Sequence, residues 1–175
     1  PNHPDALHLT GMAALDQGRA AEALGWIAAA IGARGDVAAY HNNLGLALAR
    51  LNRHREACLC YEHAVALAPA YAEAHVNLGN ALQALGRPGD AAAHYREALA
   101  VRPDLAEALN NLGNALAACG RLEEAARWLR SAIERKPDYA EAWLNLSAVL
   151  KRQDRLEEGV ECCRRAIQLA PAMGA

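Results

Sequence analysis

The sequence predicts an all-α protein built from five helix–turn–helix units of 34 residues each. Pro69, Pro103, Pro137 and Pro171 recur at steps of 34, and Gly35 stands one step earlier. Four further columns keep the same period, each dominated by one residue type: Ala30, Ala64, Ala98, Ala132 and Ala166; Ala23, Ala57, Ala91 and Ala125; Leu44, Leu78, Leu112 and Leu146; Gly11, Gly45, Gly79 and Gly113. A fixed period held along the chain is the signature of a repeat architecture.

One unit, residues 106–139, shows why the repeat is helical. Apolar residues recur at helical spacing from Leu109 until Gly120, where a left-handed backbone ends a helix at little cost. A second amphipathic stretch begins at Leu122 and stops before Pro137, which cannot continue a helix. The period therefore predicts first helices near 4–17, 38–51, 72–85, 106–119 and 140–153, and second helices near 21–34, 55–68, 89–102, 123–136 and 157–170.

The glycine column lies inside the first predicted helix, where glycine costs about 1 kcal/mol relative to alanine. We interpret it as a close contact with a partner helix that leaves no room for a side chain. Ser147 takes this position in the fifth unit.

Two acidic pairs and one proline predict where helices begin. Asp104 is followed three residues later by Glu107, and Asp138 by Glu141, a spacing typical of a capping box. Pro88 stands at the start of a second helix, which suits its fixed φ.

Composition and charge argue against several classes of protein. The net charge of −2 gives no general attraction to nucleic acid, and no apolar run of about 18 residues predicts membrane insertion. The basic residues are mostly arginine, as in a GC-rich, bacterial-like genome. The five cysteines form no CxxC pair and lie in alanine-rich stretches. We expect them to be reduced and mostly buried, in a cytoplasmic protein.

The order of residue types in each unit resembles the tetratricopeptide repeat. In the third unit the matching residues are His75, Leu78, Gly79, Leu82, Ala91, Tyr95, Ala98 and Pro103, and in the fifth they are Trp143, Leu146, Ser147, Leu150, Gly159, Cys163, Ala166 and Pro171. The resemblance implies a right-handed superhelical solenoid whose first helices line a concave groove. It implies a single domain over residues 1–175, with repeats near 4–37, 38–71, 72–105, 106–139 and 140–173.

Asparagine recurs on these first helices, just before the Leu-Gly pair. The column consists of Asn43, Asn77, Asn111 and Asn145; Asn42 and Asn110 precede it, and Asn80 and Asn114 follow the glycine. Asparagine is a poor helix former, and its amide both donates and accepts hydrogen bonds. The column therefore predicts a ladder that binds the main chain of an extended peptide. The alternative is that each amide bonds to a neighbouring helix of the protein itself.

The sequence Asn77-Leu78-Gly79-Asn80 and its copy at 111–114 resemble the repeats of the O-GlcNAc transferase and SPINDLY group, where an asparagine ladder lines the groove. An acidic column of Glu73, Glu107 and Glu141 lies one helical turn earlier. Glu73 has no partner for a capping box, so it joins the candidate groove residues. The lysines and arginines with which the family's chaperone-tail clamp holds a carboxylate are missing from the groove positions.

We expect no catalytic, cofactor or metal site. His41 and His75 occupy the repeat position of a large packing residue, so each is expected to pack with one satisfied ring nitrogen. Cys58 and Cys60 project to different faces of a helix, and no phosphate loop, GxSxG or HExxH motif occurs.

Three functional interpretations remain open. The first is a non-enzymatic scaffold that binds a protein or peptide, with no nucleic-acid partner. The second is a recognition module cut from a larger enzyme, such as an O-GlcNAc transferase-like glycosyltransferase, a sulfotransferase or a methyltransferase. It is favoured by Pro1 on the closing-proline column and by a chain that ends soon after Pro171. The third is self-association through uncapped terminal repeats.

Overall fold

The computed structural model describes residues 3–169, which fold into ten α-helices. They are α1 (Pro4–Asp16), α2 (Ala20–Ala33), α3 (Ala38–Arg50), α4 (His54–Leu67), α5 (Ala72–Ala84), α6 (Pro88–Val101), α7 (Ala106–Ala118), α8 (Leu122–Arg135), α9 (Ala140–Arg152) and α10 (Leu156–Leu169). Within that span there is no β-strand, and the bounds of α1 to α9 and the start of α10 lie within one residue of their predictions. The predicted end of α10 at position 170, the closing Pro171 and the outer bounds of the predicted domain and fifth repeat fall outside the described residues.

The chain divides into two compact units, Pro1–Arg87 and Pro88–Ala175. In the first, α1 to α5 pack in chain order, and α3 also contacts both α1 and α5. In the second, α6 to α10 pack in chain order, and α7 also contacts α9. In both units a helix therefore contacts its hairpin partner and also the adjacent repeat, as the family resemblance implies.

The turn inside each repeat depends on one residue in the left-handed region. Gly120 has a φ of 79°, as expected, and Gly18 and Gly86 at the same repeat position have φ of 75° and 73°. In the other two repeats Asn52 and Asp154 adopt φ of 58° and 61°. Asparagine and aspartate tolerate this region better than other side chains do, so all five turns keep one geometry.

The predicted capping boxes are wrong. The N-cap residues of α7 and α9 are Leu105 and Tyr139, and neither helix start carries a side-chain cap. Asp138 lies one residue too early to cap. Its backbone carbonyl instead accepts the N–H of Ala140 at 3.0 Å, so the main chain closes the turn. The prediction for Pro88 is confirmed, since α6 begins there.

The glycine column is a point of close helix contact, as predicted. A Cβ added to Gly113 would lie 2.6 Å from Leu129 Cγ, and one added to Gly45 would lie 2.6 Å from the Tyr61 ring. In the fifth repeat, the hydroxyl of Ser147 instead lies 2.9 Å from Cys163 Sγ. In each of these repeats, the contacting residue lies sixteen positions after the small residue.

Substitutions at Gly113 and at the neighbouring buried Leu112 are expected to destabilise the fold. Leu112→Ala should lower the free energy of unfolding by about 2–5 kcal/mol, because Leu112 is fully buried and its removal leaves a cavity. Gly113→Leu should cost about 1–3 kcal/mol by overpacking against Leu129. Urea denaturation measures both changes. Leu59→Ala, at an exposed position of α4, is the control, and equal stability of all three variants would contradict the packing described here.

Candidate functional site

The asparagine column lies on the first helices, with one member each on α3, α5, α7 and α9. All four side chains are half-buried. Each is followed at once by a residue that packs inward, such as Leu78 after Asn77 and Leu146 after Asn145, which are both buried. The buried leucine fixes the rotation of the helix, so the amide is held at the edge of the packed surface.

In the first unit, hydrogen-bonded amides connect three first helices. Asn77 of α5 donates from Nδ2 to Asn42 Oδ1 on α3 at 2.9 Å. Asn42 donates to Asn43 Oδ1 at 3.1 Å, and Asn43 donates to His8 Nε2 on α1 at 2.8 Å. Partial burial lowers the pKa of His8, which favours the neutral imidazole that can accept this bond.

The second unit repeats the arrangement with different surroundings. Asn145 of α9 donates from Nδ2 to Asn110 Oδ1 on α7 at 2.9 Å, and Asn110 donates to Asn111 Oδ1 at 3.2 Å. The Asn110 amide nitrogen also lies 3.4 Å from the Tyr139 hydroxyl and 3.3 Å from Glu141 Oε1. Burial and the nearby glutamates raise the pKa of Tyr139 to about 12, so the phenol remains protonated at neutral pH.

Asn42 and Asn110 are interior residues, 5% and 0% exposed, which corrects their assignment to a peptide-lining surface. Each lies between two members of the asparagine column and bonds to both. Val76 and Leu144 hold the same position in the third and fifth repeats, so the buried amide occurs in every second repeat. Asn42 and Asn110 therefore support the column from within the protein.

The internal bonds use only part of the hydrogen-bonding capacity of the Asn77 and Asn145 amides. Each donates one N–H to a buried neighbour, whereas an asparagine amide has two N–H groups and an oxygen that accepts two bonds. Both side chains are only half-buried. The internal bond fixes the side chain in one orientation, and further donor and acceptor capacity remains for another molecule. Asn80 and Asn114, one turn along, are also half-buried.

The acidic column is exposed in both units. Glu73 lies four residues before Asn77 in the first unit, and Glu107 and Glu141 occupy the same repeat position in the second. Because no capping box forms, Glu107 and Glu141 stabilise their helices through the attraction between a carboxylate and the positive end of the helix dipole. Glu141 in addition accepts the bond from Asn110. Glu73 stays a predicted groove residue, but the missing capping-box partner no longer separates it from Glu107 and Glu141.

A second repeated contact joins the first helices to the loops before them. His41 Nε2 lies 2.8 Å from the Gly35 carbonyl oxygen and His75 Nε2 lies 3.0 Å from that of Pro69. Trp143 donates its indole N–H to the Pro137 carbonyl at 3.0 Å. The expectation that both histidines pack with one satisfied nitrogen is confirmed. The tryptophan contact was not predicted, although its position in the same column would have indicated it.

The cysteines are unpaired thiols, and only Cys119 among them is exposed. Burial raises the pKa of the Cys58, Cys60 and Cys162 thiols, which keeps them protonated. Among residues 3–169, no three His, Cys, Asp or Glu side chains are placed to hold a metal ion. Over the same residues, no helix has the length and apolarity needed to cross a bilayer.

The buried Asn110 amide is expected to contribute to stability. Asn110→Ala should lower the free energy of unfolding by about 1–3 kcal/mol, because it removes the partner of Asn145 and Asn111 inside the protein. The matched control is Asn114→Ala, a half-buried amide on the same helix, which should change stability by less than about 0.5 kcal/mol. Equal losses in urea denaturation for the two variants would contradict the role of the network.

Solved structures provide a comparison for this arrangement. The chain is 19% identical to a structure described as MamA 41-end from Desulfovibrio magneticus RS-1, with a TM-score of 0.89, covering 98% of this chain and 97% of that one. It is 21% identical to YrrB, described as a TPR protein with an unusual peptide-binding site, with a TM-score of 0.80 and coverage of 95% and 86%. It is 18% identical to Pseudomonas aeruginosa PilF, with a TM-score of 0.86, covering 95% of this chain and 76% of that one. These likenesses show the fold.

No curated protein sequence matches the chain. One family model described as a tetratricopeptide repeat matches residues 1–39 and 76–140, more than half of the chain. Two further models with the same description match residues 36–104 and 140–172. The chain belongs to the tetratricopeptide repeat family.

Proposed function

We propose that this protein is an interaction scaffold that binds an extended peptide segment along the asparagine column of its first helices. The observation that carries the proposal is the state of Asn77 and Asn145. Each amide is anchored by one bond to a buried asparagine and remains partly exposed. Such an anchored amide is a preorganised recognition group.

Anchoring reduces the entropic cost of binding. A free asparagine side chain on a helix samples several rotamers, and immobilising a side chain at an interface costs roughly 0.5–1.5 kcal/mol. The bonds from Asn77 to Asn42 and from Asn145 to Asn110 restrict that freedom before the ligand arrives. The remaining N–H and carbonyl groups suit the alternating donors and acceptors of a peptide main chain.

The exposed glutamates indicate the charge of the ligand. Glu73 in the first unit, and Glu107 and Glu141 in the second, lie on the same helices as the column and one turn before it. Their negative charge favours a peptide with lysine or arginine flanking the segment that contacts the amides, by electrostatic complementarity.

Two likenesses support a peptide ligand. The Asn-Leu-Gly-Asn sequences at 77–80 and 111–114 resemble the ladder repeats of the O-GlcNAc transferase and SPINDLY group. YrrB, which has a similar fold, is described as having a peptide-binding site. The same surface would serve as a recognition module if these repeats belonged to a larger enzyme.

The proposal is tested with a library of extended peptides rich in lysine and arginine, displayed on phage, followed by fluorescence anisotropy on the selected sequences. Asn77→Ala and Asn145→Ala should each weaken binding by about 0.5–1.5 kcal/mol, the net value of one hydrogen bond. N-methylation of single peptide bonds should weaken binding by similar amounts, whereas alanine replacement of ligand side chains facing solvent should not.

The control variant is Leu59→Ala, at an exposed position on the second helix α4. All variants are compared at temperatures well below their unfolding transitions, because Asn77 and Asn145 also contribute to stability through their buried partners. Unchanged affinity in a folded variant lacking Asn43, Asn77, Asn111 and Asn145 would show that the column is not the binding surface.

A further inference from the structure

The amide hydrogen bonds of the first unit all run in one direction, from α5 through α3 to α1. Asn77 donates to Asn42 at 2.9 Å, and Asn42 donates to Asn43 at 3.1 Å. Asn43 then donates to Nε2 of His8 at 2.8 Å. A histidine nitrogen can accept a hydrogen bond only while the imidazole is neutral. The direction of all three bonds therefore depends on the protonation state of His8.

Protonation of His8 would require the chain to run the other way. An imidazolium carries an N–H on both ring nitrogens, so Nε2 would face the Asn43 amide nitrogen as donor against donor. A half-turn of the Asn43 amide exchanges its nitrogen and oxygen and restores that bond. The same half-turn at Asn42 and then at Asn77 restores the other two. Because Asn42 and Asn43 each use one nitrogen and one oxygen in the chain, all three bonds are kept without any helix moving.

The reversal would change what Asn77 presents to solvent. In the structure its amide nitrogen is bonded to Asn42, so its carbonyl oxygen remains as an acceptor beside the second N–H. After reversal the oxygen would be bonded to Asn42, and the amide would present its two N–H groups. Asn77 is only half-buried. The group that it offers another molecule would thus change from mainly an acceptor to mainly a donor.

The groups around His8 keep its ring neutral at physiological pH and stabilise it once protonated. Partial burial lowers the pKa of His8 below its ordinary value of 6.5, and the charge of Asp5 on the same helix opposes that shift. Tyr40 of α3 lies against His8 with ring centroids 4.5 Å apart. Tyr40 and Arg34, which follows α2, both bond to Asp5, and His3 lies 3.7 Å from it. The bond from Tyr40 lowers the pKa of Asp5, so that carboxylate is still ionised when His8 takes up a proton.

The chain of the second unit is fixed in one direction. Asn145 donates to Asn110, and the Asn110 amide nitrogen also lies 3.3 Å from Glu141 Oε1. An ionised carboxylate only accepts hydrogen bonds, so that nitrogen is held toward Glu141 and cannot exchange with the oxygen. The residues one to four repeats after His8 carry no titratable group: Asn42, Val76, Asn110 and Leu144. The second unit therefore serves as an internal control for the first.

We propose that His8 is a proton-controlled switch on the asparagine column of the first unit, whose protonation reverses the hydrogen-bond chain and turns Asn77 from an acceptor into a donor. The consequence for binding rests on the proposed function, in which Asn77 contacts a peptide main chain. A peptide whose N–H bonds to Asn77 Oδ1 loses that bond when His8 is protonated. The first unit thus weakens its hold on such a peptide as the pH falls, and the second unit does not.

NMR of the full chain, titrated from pH about 8 to about 4.5, tests the reversal without any ligand. Two-bond correlations between ring protons and ring nitrogens follow the protonation of His8. The side-chain amide resonances of Asn43, Asn42 and Asn77 should shift at the pH at which His8 titrates. The nuclear Overhauser effect between the Asn43 amide protons and the His8 ring should weaken, because the half-turn moves those protons away. The amide resonance of Asn145 should not follow His8.

Two variants distinguish a relayed reversal from a local effect. Asn42→Val removes the middle amide and supplies the residue found one repeat later at Val76, so Asn43 should still follow His8 and Asn77 should not. His8→Gln places an uncharged amide at the end of the chain and should abolish all three shifts. The parent titration decides by itself if Asn42→Val does not fold. An Asn77 resonance that stays constant while His8 titrates in the parent would overturn the proposal.

The effect on binding is measured with a basic peptide selected at neutral pH, as under the proposed function. Its affinity for the parent should fall about two- to tenfold more than its affinity for His8→Gln as His8 titrates, the loss expected for one hydrogen bond. Both proteins carry Glu73, so its titration cancels in this comparison. Equal pH dependence of the two affinities would contradict control of binding by His8. Absence of peptide binding at every pH would contradict the proposed function alone, because the NMR titration decides the reversal.

Discussion

The close approach of the two helices within a repeat is the constraint on which the rest of the structure depends. A large residue of the second helix rests on a small residue of the first, as Tyr61 rests on Gly45 and Leu129 on Gly113. This contact sets the angle and depth at which the hairpin closes. The fully buried alanine columns, such as Ala64 and Ala132, keep the remaining length of the interface equally tight. Stability requires small residues in this column, which explains why glycine is kept inside a helix despite its cost.

Once the hairpins are fixed, adjacent first helices meet with an offset of 35 residues, one more than the repeat. Asn77 bonds Asn42, Asn145 bonds Asn110, and Asn43 bonds His8 with this separation. Backbone carbonyls take part as well, because Arg152 donates to the Ala117 carbonyl at 2.7 Å across the same offset. The amide network follows from this register. It places an asparagine of the column beside the residue that stands just before the column position in the preceding repeat.

The period of the sequence predicted the helices because each boundary depends on local chemistry that recurs five times, namely the left-handed turn residue and the closing proline or glycine. The interactions that cap the helix starts were predicted less well than the starts themselves. Asp104 and Asp138 have capping-box spacing, but the N-cap positions belong to Leu105 and Tyr139, which are half-buried. At both helix starts the N-cap position therefore holds a half-buried side chain and no capping hydrogen bond.

The partners of the asparagines could not be read from the sequence, because the 35-residue register arises only when repeats stack. A column of identical residues fits a ligand ladder and an internal network equally well. One feature of the sequence does distinguish an internal network from a ligand ladder. Asn42 and Asn110 occur in alternate repeats, where Val76 and Leu144 occupy the others. Valine and leucine favour buried positions, so an asparagine that alternates with them is expected to need a partner inside the protein.

The network also makes the candidate ligand surface and the fold parts of one hydrogen-bonded chain. Asn77 donates to Asn42, Asn42 to Asn43, and Asn43 to His8. Hydrogen bonds in such a chain polarise one another, so a donor placed on Asn77 Oδ1 alters the donor strength of its N–H and hence the bond to Asn42. The asparagine column thus forms part of the contact between adjacent repeats and is also exposed in part to solvent. Under the proposed function, replacing one of its members should change the free energy of unfolding and the free energy of binding together, and the buried Asn42 and Asn110 should act on a peptide only through the amides they anchor.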